Sequence, residues 1–219
     1  MRIDSHHHLW DLSVRDQEWI VGDEMQTIRR SFAISDLKDA IKSSRIDRTV
    51  LVQTVTDYSE TPELLAIAQS EHLVGAVVGW LQIDAPDAIA RLHQYLDLPG
   101  AEYLKGIRDI AQDHPDPNYL AKPQTIANVK KLGELGITFD LLTKTPELAA
   151  AIKLVSACPD VQFVMDHISK PYIAKKEFEP WRTLMTELAT FPNVLCKVSG
   201  LVTEANWKTW DVKDFKPYV

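Results

Sequence analysis

The sequence predicts an α/β fold in which parallel strands and helices alternate to form a β/α barrel. Seven short apolar runs are each separated from the next by an amphipathic stretch. The runs are nearly continuous in apolar residues, which is typical of parallel strands covered on both faces. Polar side chains follow many different runs, which is the arrangement at the mouth of a barrel. An open sheet instead has its site at one switch point, beside a Gly-rich loop, so the distribution favours a barrel.

The seven apolar runs define the predicted strands. The second and third are rich in β-branched residues, and the fourth and fifth are weaker. In chain order, strands are predicted over residues 2–8, 49–55, 74–80, 104–108, 137–141, 161–166 and 194–198.

Hydroxyl and proline signals mark the predicted helix starts. Side-chain hydroxyl groups are expected to cap three helices, at Ser35, Thr61 and Thr145, and the last two precede proline and glutamate. Prolines are expected to open three more, over 87–96, 124–135 and 181–191, and Gly136 is expected to end the second of these.

No linker, low-complexity tract or charge block interrupts this pattern, so residues 1–219 are predicted to form one barrel domain. Seven strands are one fewer than an (β/α)8 barrel contains, and residues 214–219 resemble the opening of another helix. We therefore expect a barrel that is truncated before its eighth strand and lacks its C-terminal part.

Composition restricts the partners and the location. The net charge of −7 and the absence of a Lys/Arg run argue against nucleic acid. No apolar run is long enough to cross a bilayer, which argues against a membrane partner. Two cysteines are too few for a disulfide framework, and with no signal peptide at the start they favour a cytoplasmic location. The oligomeric state is unreadable, and a homo-oligomer is compatible with the sequence.

The most specific chemical signal is the sequence Asp-Ser-His-His-His-Leu-Trp at residues 4–10. Side chains alternate along a strand, so Asp4, His6 and His8 are expected to share one face, with His7 on the other. Two imidazoles so placed can bind one metal ion, and zinc is the metal that imidazole ligands favour. His167, after the sixth predicted strand, either completes a three-histidine metal set or orients a substrate carbonyl group.

Four further residues are candidates for substrate binding. Arg108 can hold a carboxylate or hydroxyl groups through its planar fork, although a structural salt bridge is the alternative. Lys197 is unusual inside an apolar strand and either lines a polar barrel mouth or extends its stem to the rim. Trp10 and Trp80, just after their strands, either wall a pocket or belong to the core. For a proton-transferring carboxylate, Asp140 and Asp166 are candidates, whereas Asp4 is better placed to orient a histidine.

Five motifs carry a family resemblance over essentially the whole chain. They are residues 4–10, Gly79-Trp80, Lys105-Gly106-Ile107-Arg108, Asp166-His167-Ile168-Ser169-Lys170-Pro171 and Lys197-Val198-Ser199-Gly200-Leu201. In this order they resemble the amidohydrolase-2 branch of the amidohydrolase superfamily, and most of all its sugar-lactone and 2-pyrone-4,6-dicarboxylate lactonase group.

The resemblance implies a (β/α)8 barrel that hydrolyses a small-molecule cyclic ester. It implies that His6, His8 and His167 are the catalytic and metal-binding histidines, that Arg108 contacts substrate, and that the divalent metal is zinc, which some members do not need. The family also carries a catalytic aspartate on its eighth strand, usually in Gly-Ser/Thr-Asp-Trp-Pro, and these 219 residues contain no such sequence.

Three functions remain open at this point. The first is a hydrolase that opens a sugar-acid or related lactone by water attack. The second is a metal-dependent decarboxylase of the same superfamily, which carbon dioxide release and tight stoichiometric zinc would favour. The third is a catalytically inactive truncated barrel, and its support is the absent eighth-strand sequence.

Overall fold

The computed structural model describes residues 1–219 and contains seven strands that alternate with helices. All seven predicted strands are confirmed, with ends that differ by up to three residues. The strands are β1 Ile3–His7, β2 Arg48–Val52, β3 Val74–Gly79, β4 Leu104–Ile110, β5 Thr138–Leu142, β6 Phe163–Met165 and β7 Val194–Cys196.

The helices fall between the strands and after β7. They are α1 Ile34–Ile41, α2 Glu60–Ser70, α3 Ala88–Leu96, α4 Pro123–Glu134, α5 Leu148–Ala157, α6 Trp181–Leu188, α7 Leu201–Glu204 and α8 Val212–Phe215. Pro123 and Pro180 lie at the starts of α4 and α6 as predicted, whereas α3 begins at Ala88, two residues after Pro86. Gly136 follows α4 with a φ of +71°. No helix is both long and apolar enough to span a bilayer.

The three predicted hydroxyl caps are wrong. Ser35 and Thr61 lie inside α1 and α2, which begin one residue earlier, and Thr145 lies in a 3-10 turn that leads into α5. Carboxylates replace two of these caps: Asp36 accepts a hydrogen bond from the backbone N–H of Ala33, and Glu147 accepts one from Lys144. An acidic residue three positions into a helix satisfies an otherwise unpaired N–H group equally well.

The chain divides into two compact units. The N-terminal unit comprises Met1–Trp80 and Gln94–Lys105, and the C-terminal unit comprises Leu81–His93 and Gly106–Val219. A single domain over residues 1–219 stays a prediction.

In the N-terminal unit, β1, β2 and β3 pair in parallel in that order. Leu51, Val52 and Val77 are buried at its centre, as expected for apolar runs between covering helices. The register between β1 and β2 shifts by one residue between Asp4 and His7. Such a bulge re-aims the side chains that follow it, and here these are the histidines.

In the C-terminal unit, β4, β5, β6 and β7 pair in parallel in chain order. Phe139, Phe163 and Leu141 fill its core with no exposed surface, and the Phe139 and Phe163 rings meet edge to face at 6.3 Å. Parallel strands direct their carboxyl ends to the same edge of a sheet, so the residues that follow these four strands share one end of the unit.

Candidate functional site

The first candidate cluster, in the N-terminal unit, is the histidine pair at the end of β1. The Nε2 atoms of His6 and His8 lie 3.1 Å apart, and the two rings meet edge to face. Both side chains are half-buried. The predicted pairing of these two imidazoles is therefore present. Asp4, by contrast, accepts the backbone N–H of His6 at 3.1 Å and does not orient either ring through this bond.

The protonation of His8 follows from its backbone partner. Its Nδ1 lies 2.8 Å from the carbonyl oxygen of Val52 at the end of β2. A carbonyl oxygen can only accept, so Nδ1 carries the proton and the lone pair of the neutral ring lies on Nε2. A backbone carbonyl that fixes the tautomer in this way is typical of metal-binding histidines.

His7 has a different environment, as the alternation of side chains predicts. Its Nε2 lies 2.9 Å from the hydroxyl oxygen of Thr49, and that hydroxyl donates to the carbonyl of Leu73 at 3.3 Å. His7 therefore donates from Nε2. Burial lowers the pKa of His7 to about 4, which keeps the ring neutral at pH 7.

The two tryptophans of the sequence prediction also lie in the N-terminal unit. Trp10 lines a mainly apolar cavity of about 340 Å³ between the segment after β1 and α2, and its indole N–H donates to the carbonyl of Arg30 at 2.7 Å. Trp80 follows β3, is 6% exposed and packs against Tyr58 at 4.6 Å between ring centroids.

The second candidate cluster, in the C-terminal unit, is a buried network of four charged side chains. The Lys197 ammonium lies 2.7 Å from Oδ2 of Asp140 and 2.8 Å from Oδ1 of Asp166. Arg108 reaches the other oxygen of Asp166 at 3.0 Å. These side chains are between 0 and 11% exposed, and their charges balance. Buried charges persist only when they are paired in this way.

The network shifts the pKa values of its members. Burial, and then the nearby carboxylate of Asp166, raises the pKa of Asp140 to about 6 against the opposing effect of Lys197. Burial alone would lower the pKa of Lys197, but attraction to Asp140 and Asp166 outweighs burial and raises it. Lys197 therefore stays charged at neutral pH.

His167, in the same unit, begins a left-handed turn. Four successive residues that are not glycine have positive φ angles: His167 (54°), Ile168 (46°), Ser169 (57°) and Lys170 (44°). The imidazole Nδ1 lies 2.8 Å from the hydroxyl oxygen of Ser199. Gly200 leaves room for the ring, since a Cβ atom there would come within 2.8 Å of Cγ of His167.

The structure thus groups the predicted residues within each unit. It brings His6 and His8 together in one, and Arg108 and Lys197 together through Asp166 in the other. Ser199, which contacts His167, and Lys170, which ends the left-handed turn, were missed as site residues. Both belong to motifs that carry the family resemblance, and this membership is the signal that marks them.

Comparison with known proteins identifies relatives over the whole length of the chain. The family model described as amidohydrolase matches residues 3–219. The chain is 34% identical over 218 residues to an L-fucono-1,5-lactonase of Burkholderia ambifaria, covering 100% of this chain and 73% of that protein. It is 30% identical over 214 residues to an L-fucono-1,5-lactonase of Burkholderia multivorans, covering 95% of this chain and 71% of that one.

Solved structures give the same result. A crystal structure of an amidohydrolase from Burkholderia multivorans with bound zinc superposes with a TM-score of 0.88 at 30% identity, covering 99% of this chain and 76% of that chain. Together with the seven parallel strands, this likeness confirms the predicted fold class, the β/α barrel of amidohydrolase type.

Proposed function

Because this chain belongs to the amidohydrolase family, we propose that it is a hydrolase that opens the ring of a sugar-acid lactone by adding water to the ester carbonyl. The observation that carries this proposal is the 34% identity to an L-fucono-1,5-lactonase, which extends over all of the chain. The substrate is accordingly a small molecule.

The proposed site includes a divalent metal, with zinc as the first choice, held by His6, His8 and His167. In this proposal each of the three histidines offers one imidazole nitrogen to the ion. Two nitrogens bound to one tetrahedral zinc are about 3.3 Å apart when each Zn–N bond is about 2.0–2.1 Å. The 3.1 Å between the Nε2 atoms of His6 and His8 fits this value, and so does the lone pair that the Val52 carbonyl leaves on His8.

A metal bound there supplies Lewis-acid polarisation of the ester carbonyl and a water that loses its proton easily. The chain's own residues supply the rest. Val52 holds the ring of His8, Ser199 holds the ring of His167, and the cations of Arg108 and Lys197 each pair with one oxygen of Asp166. The substrate-binding roles of Arg108, Lys197, Trp10 and Trp80 stay predictions, as do the cytoplasmic location and a homo-oligomer.

The reaction itself provides the assay. Water oxygen adds to the carbonyl carbon, the ring C–O bond breaks, and the ring oxygen leaves as a hydroxyl group while the new carboxylic acid releases a proton at neutral pH. A pH indicator should therefore report turnover over a panel of aldonolactones and pyrone lactones. No signal with either lactone class, in protein shown to be folded, would refute the proposal. Carbon dioxide release from aromatic acids would instead favour the decarboxylase.

The metal site has a matched histidine control. His6→Ala/His8→Ala should reduce bound zinc from about one equivalent to almost none and lower turnover by at least about 100-fold. His72→Ala/His93→Ala removes two exposed histidines and should change neither quantity. Unchanged zinc and turnover in the first double variant would exclude His6 and His8 from the site and favour the inactive barrel.

A further inference from the structure

The ammonium group of Lys170, at the end of the left-handed turn, is mostly buried but lacks a close hydrogen-bond acceptor. Its side chain is only 18% exposed, and its sole side-chain partner is the Glu204 carboxylate at 3.9 Å, beyond hydrogen-bonding distance. A lysine ammonium has three N–H donors, and proteins rarely withdraw one from water without acceptors. The side chain is thus ready to donate hydrogen bonds to something that binds there.

Glu204, the last residue of α7, provides the complementary group. Its side chain is 14% exposed, and its carboxylate accepts one hydrogen bond, from the Thr203 hydroxyl to Oε1 at 3.1 Å. A carboxylate has about four acceptor positions, so most of its capacity is unused. Lys170 and Glu204 therefore present donors and acceptors side by side.

The backbone fixes Lys170 close to a proposed metal ligand. Its N–H donates to the carbonyl of His167 at 2.9 Å, and both residues lie in the same left-handed turn after β6. A left-handed residue with a side chain is strained by about 1–2 kcal/mol, and such strain concentrates at functional sites. Lys170 is thus placed by the turn that also places His167.

The charge around Lys170 decides what kind of ligand fits. The charged groups that act on it are Glu204, Lys144, Arg108 and Asp113. Lys144 is paired with Asp113 at 2.6 Å, and Arg108 with Asp166 at 3.0 Å. Together with Lys170 and Glu204, these groups sum to zero charge, so an anion gains no net attraction and a neutral polar ligand fits best.

We propose that Lys170 and Glu204 form a subsite that binds two neighbouring hydroxyl groups of the sugar lactone. The ammonium donates to one hydroxyl oxygen, and the carboxylate accepts the O–H of the next. The inference rests on the proposed lactonase function and adds which residues select a hydroxylated ring. They determine specificity and take no part in breaking the ester bond.

The test compares two lactones of the same ring size, one polyhydroxylated and one without hydroxyl groups. Lys170→Met should raise KM for the hydroxylated lactone about 10- to 100-fold, because it deletes a charged hydrogen bond made only to that substrate. Its KM for the unsubstituted lactone should stay within about 2-fold of the wild type. Glu204→Ala should give the same lactone-selective pattern, and it tests the proposal independently if Lys170→Met does not fold.

Lys213→Met is the matched control. Lys213 also has a loosely placed carboxylate partner, Asp211 at 3.7 Å, but its side chain is 75% exposed. This variant should leave KM for both lactones unchanged. Equal losses on both lactones in Lys170→Met and Glu204→Ala, or no loss on either, would overturn the hydroxyl subsite. A wild-type protein that opens neither lactone would refute the proposed function itself.

Discussion

Lys197→Met should destabilise the C-terminal unit because it removes the cation that lies between two buried carboxylates. At an effective dielectric constant of about 20, contacts of 2.7 and 2.8 Å each contribute about 6 kcal/mol of attraction. Most of this offsets the desolvation of three charged groups. Lys197→Met leaves the two buried carboxylates without this cation. Breaking a buried ion pair typically lowers the free energy of unfolding by about 3–5 kcal/mol.

The assay is urea unfolding at pH 7, followed by far-UV circular dichroism, with a thermal melt as the second measurement. For a protein of this size, 3–5 kcal/mol corresponds to a fall in Tm of roughly 6–20 °C. The slope of the free energy of unfolding with urea should stay that of the wild type, because the same surface is exposed on unfolding.

A second substitution tests whether charge balance is the cause. Asp140→Asn removes one of the two anions that Lys197→Met leaves against Arg108, so the double variant should regain at least about 1.5 kcal/mol. Lys131→Met is the control, because Lys131 lies 2.8 Å from Glu134 but both side chains are more than half exposed. Exposed pairs contribute about 0–1 kcal/mol. A cost of less than about 1 kcal/mol for Lys197→Met, or a double variant no more stable than Lys197→Met, would refute charge balance as the cause.

Two other predictions concern one glycine and one buried acid. Gly200→Ala should cost about 1–3 kcal/mol more than Gly136→Ala and should lower turnover. Both positions have φ near +70°, but only a Cβ at 200 meets the His167 ring. Equal melting temperatures of the two variants would contradict this. Burial raises the pKa of Glu60, so the folded state binds the proton of this carboxyl group more tightly than the unfolded state does. The free energy of unfolding of the wild type should therefore fall as pH rises from about 4.5 through the raised pKa. Urea unfolding from pH 4 to 7 should show this fall in the wild type and a shallower fall in Glu60→Gln, where the raised pKa of Asp140 still contributes.

Strands β2 to β6 could be predicted from the sequence because burial leaves a direct trace in residue type, whereas β1 and β7 are apolar in part but largely exposed or half-buried. Runs such as residues 49–52 are apolar for this reason, and each predicted strand is present. The caps were not predictable from hydroxyl residues alone. Thr61 shows why: its hydroxyl accepts the backbone N–H of Trp80 at 3.0 Å, and this partner lies 19 residues away.

The candidate site was predictable to the extent that its residues follow strands. Lys197 stood out as a charge in the predicted strand 194–198, although β7 ends one residue before it, and His6 and His8 stood out as a pair two residues apart. The partners of Lys197 could not be assigned, because Asp140 and Asp166 are ordinary strand-end aspartates until β5, β6 and β7 lie side by side.

The left-handed turn at 167–170 is the feature that no local rule predicts, and its energetics explain why. Four residues with side chains in this conformation cost about 1–2 kcal/mol each, or roughly 4–8 kcal/mol together. Four hydrogen bonds offset most of this cost at about 0.5–1.5 kcal/mol each. They join Lys170 N–H to the His167 carbonyl, Ile168 N–H to the Lys197 carbonyl, the Trp181 indole N–H to the Ile168 carbonyl, and the Ser169 hydroxyl to that of Thr143.

Three of these four partners come from other segments: the residue after β5, the first residue of α6 and the residue after β7. The turn therefore depends on tertiary packing and not on the preferences of its own residues, which include no glycine or asparagine. Because this strained segment carries both His167 and Lys170, the packing that sustains it also fixes the proposed metal ligand and the proposed hydroxyl-binding residue relative to each other. Substitutions at Thr143 or Trp181 should therefore alter substrate selectivity and turnover together, although neither residue belongs to either proposed subsite.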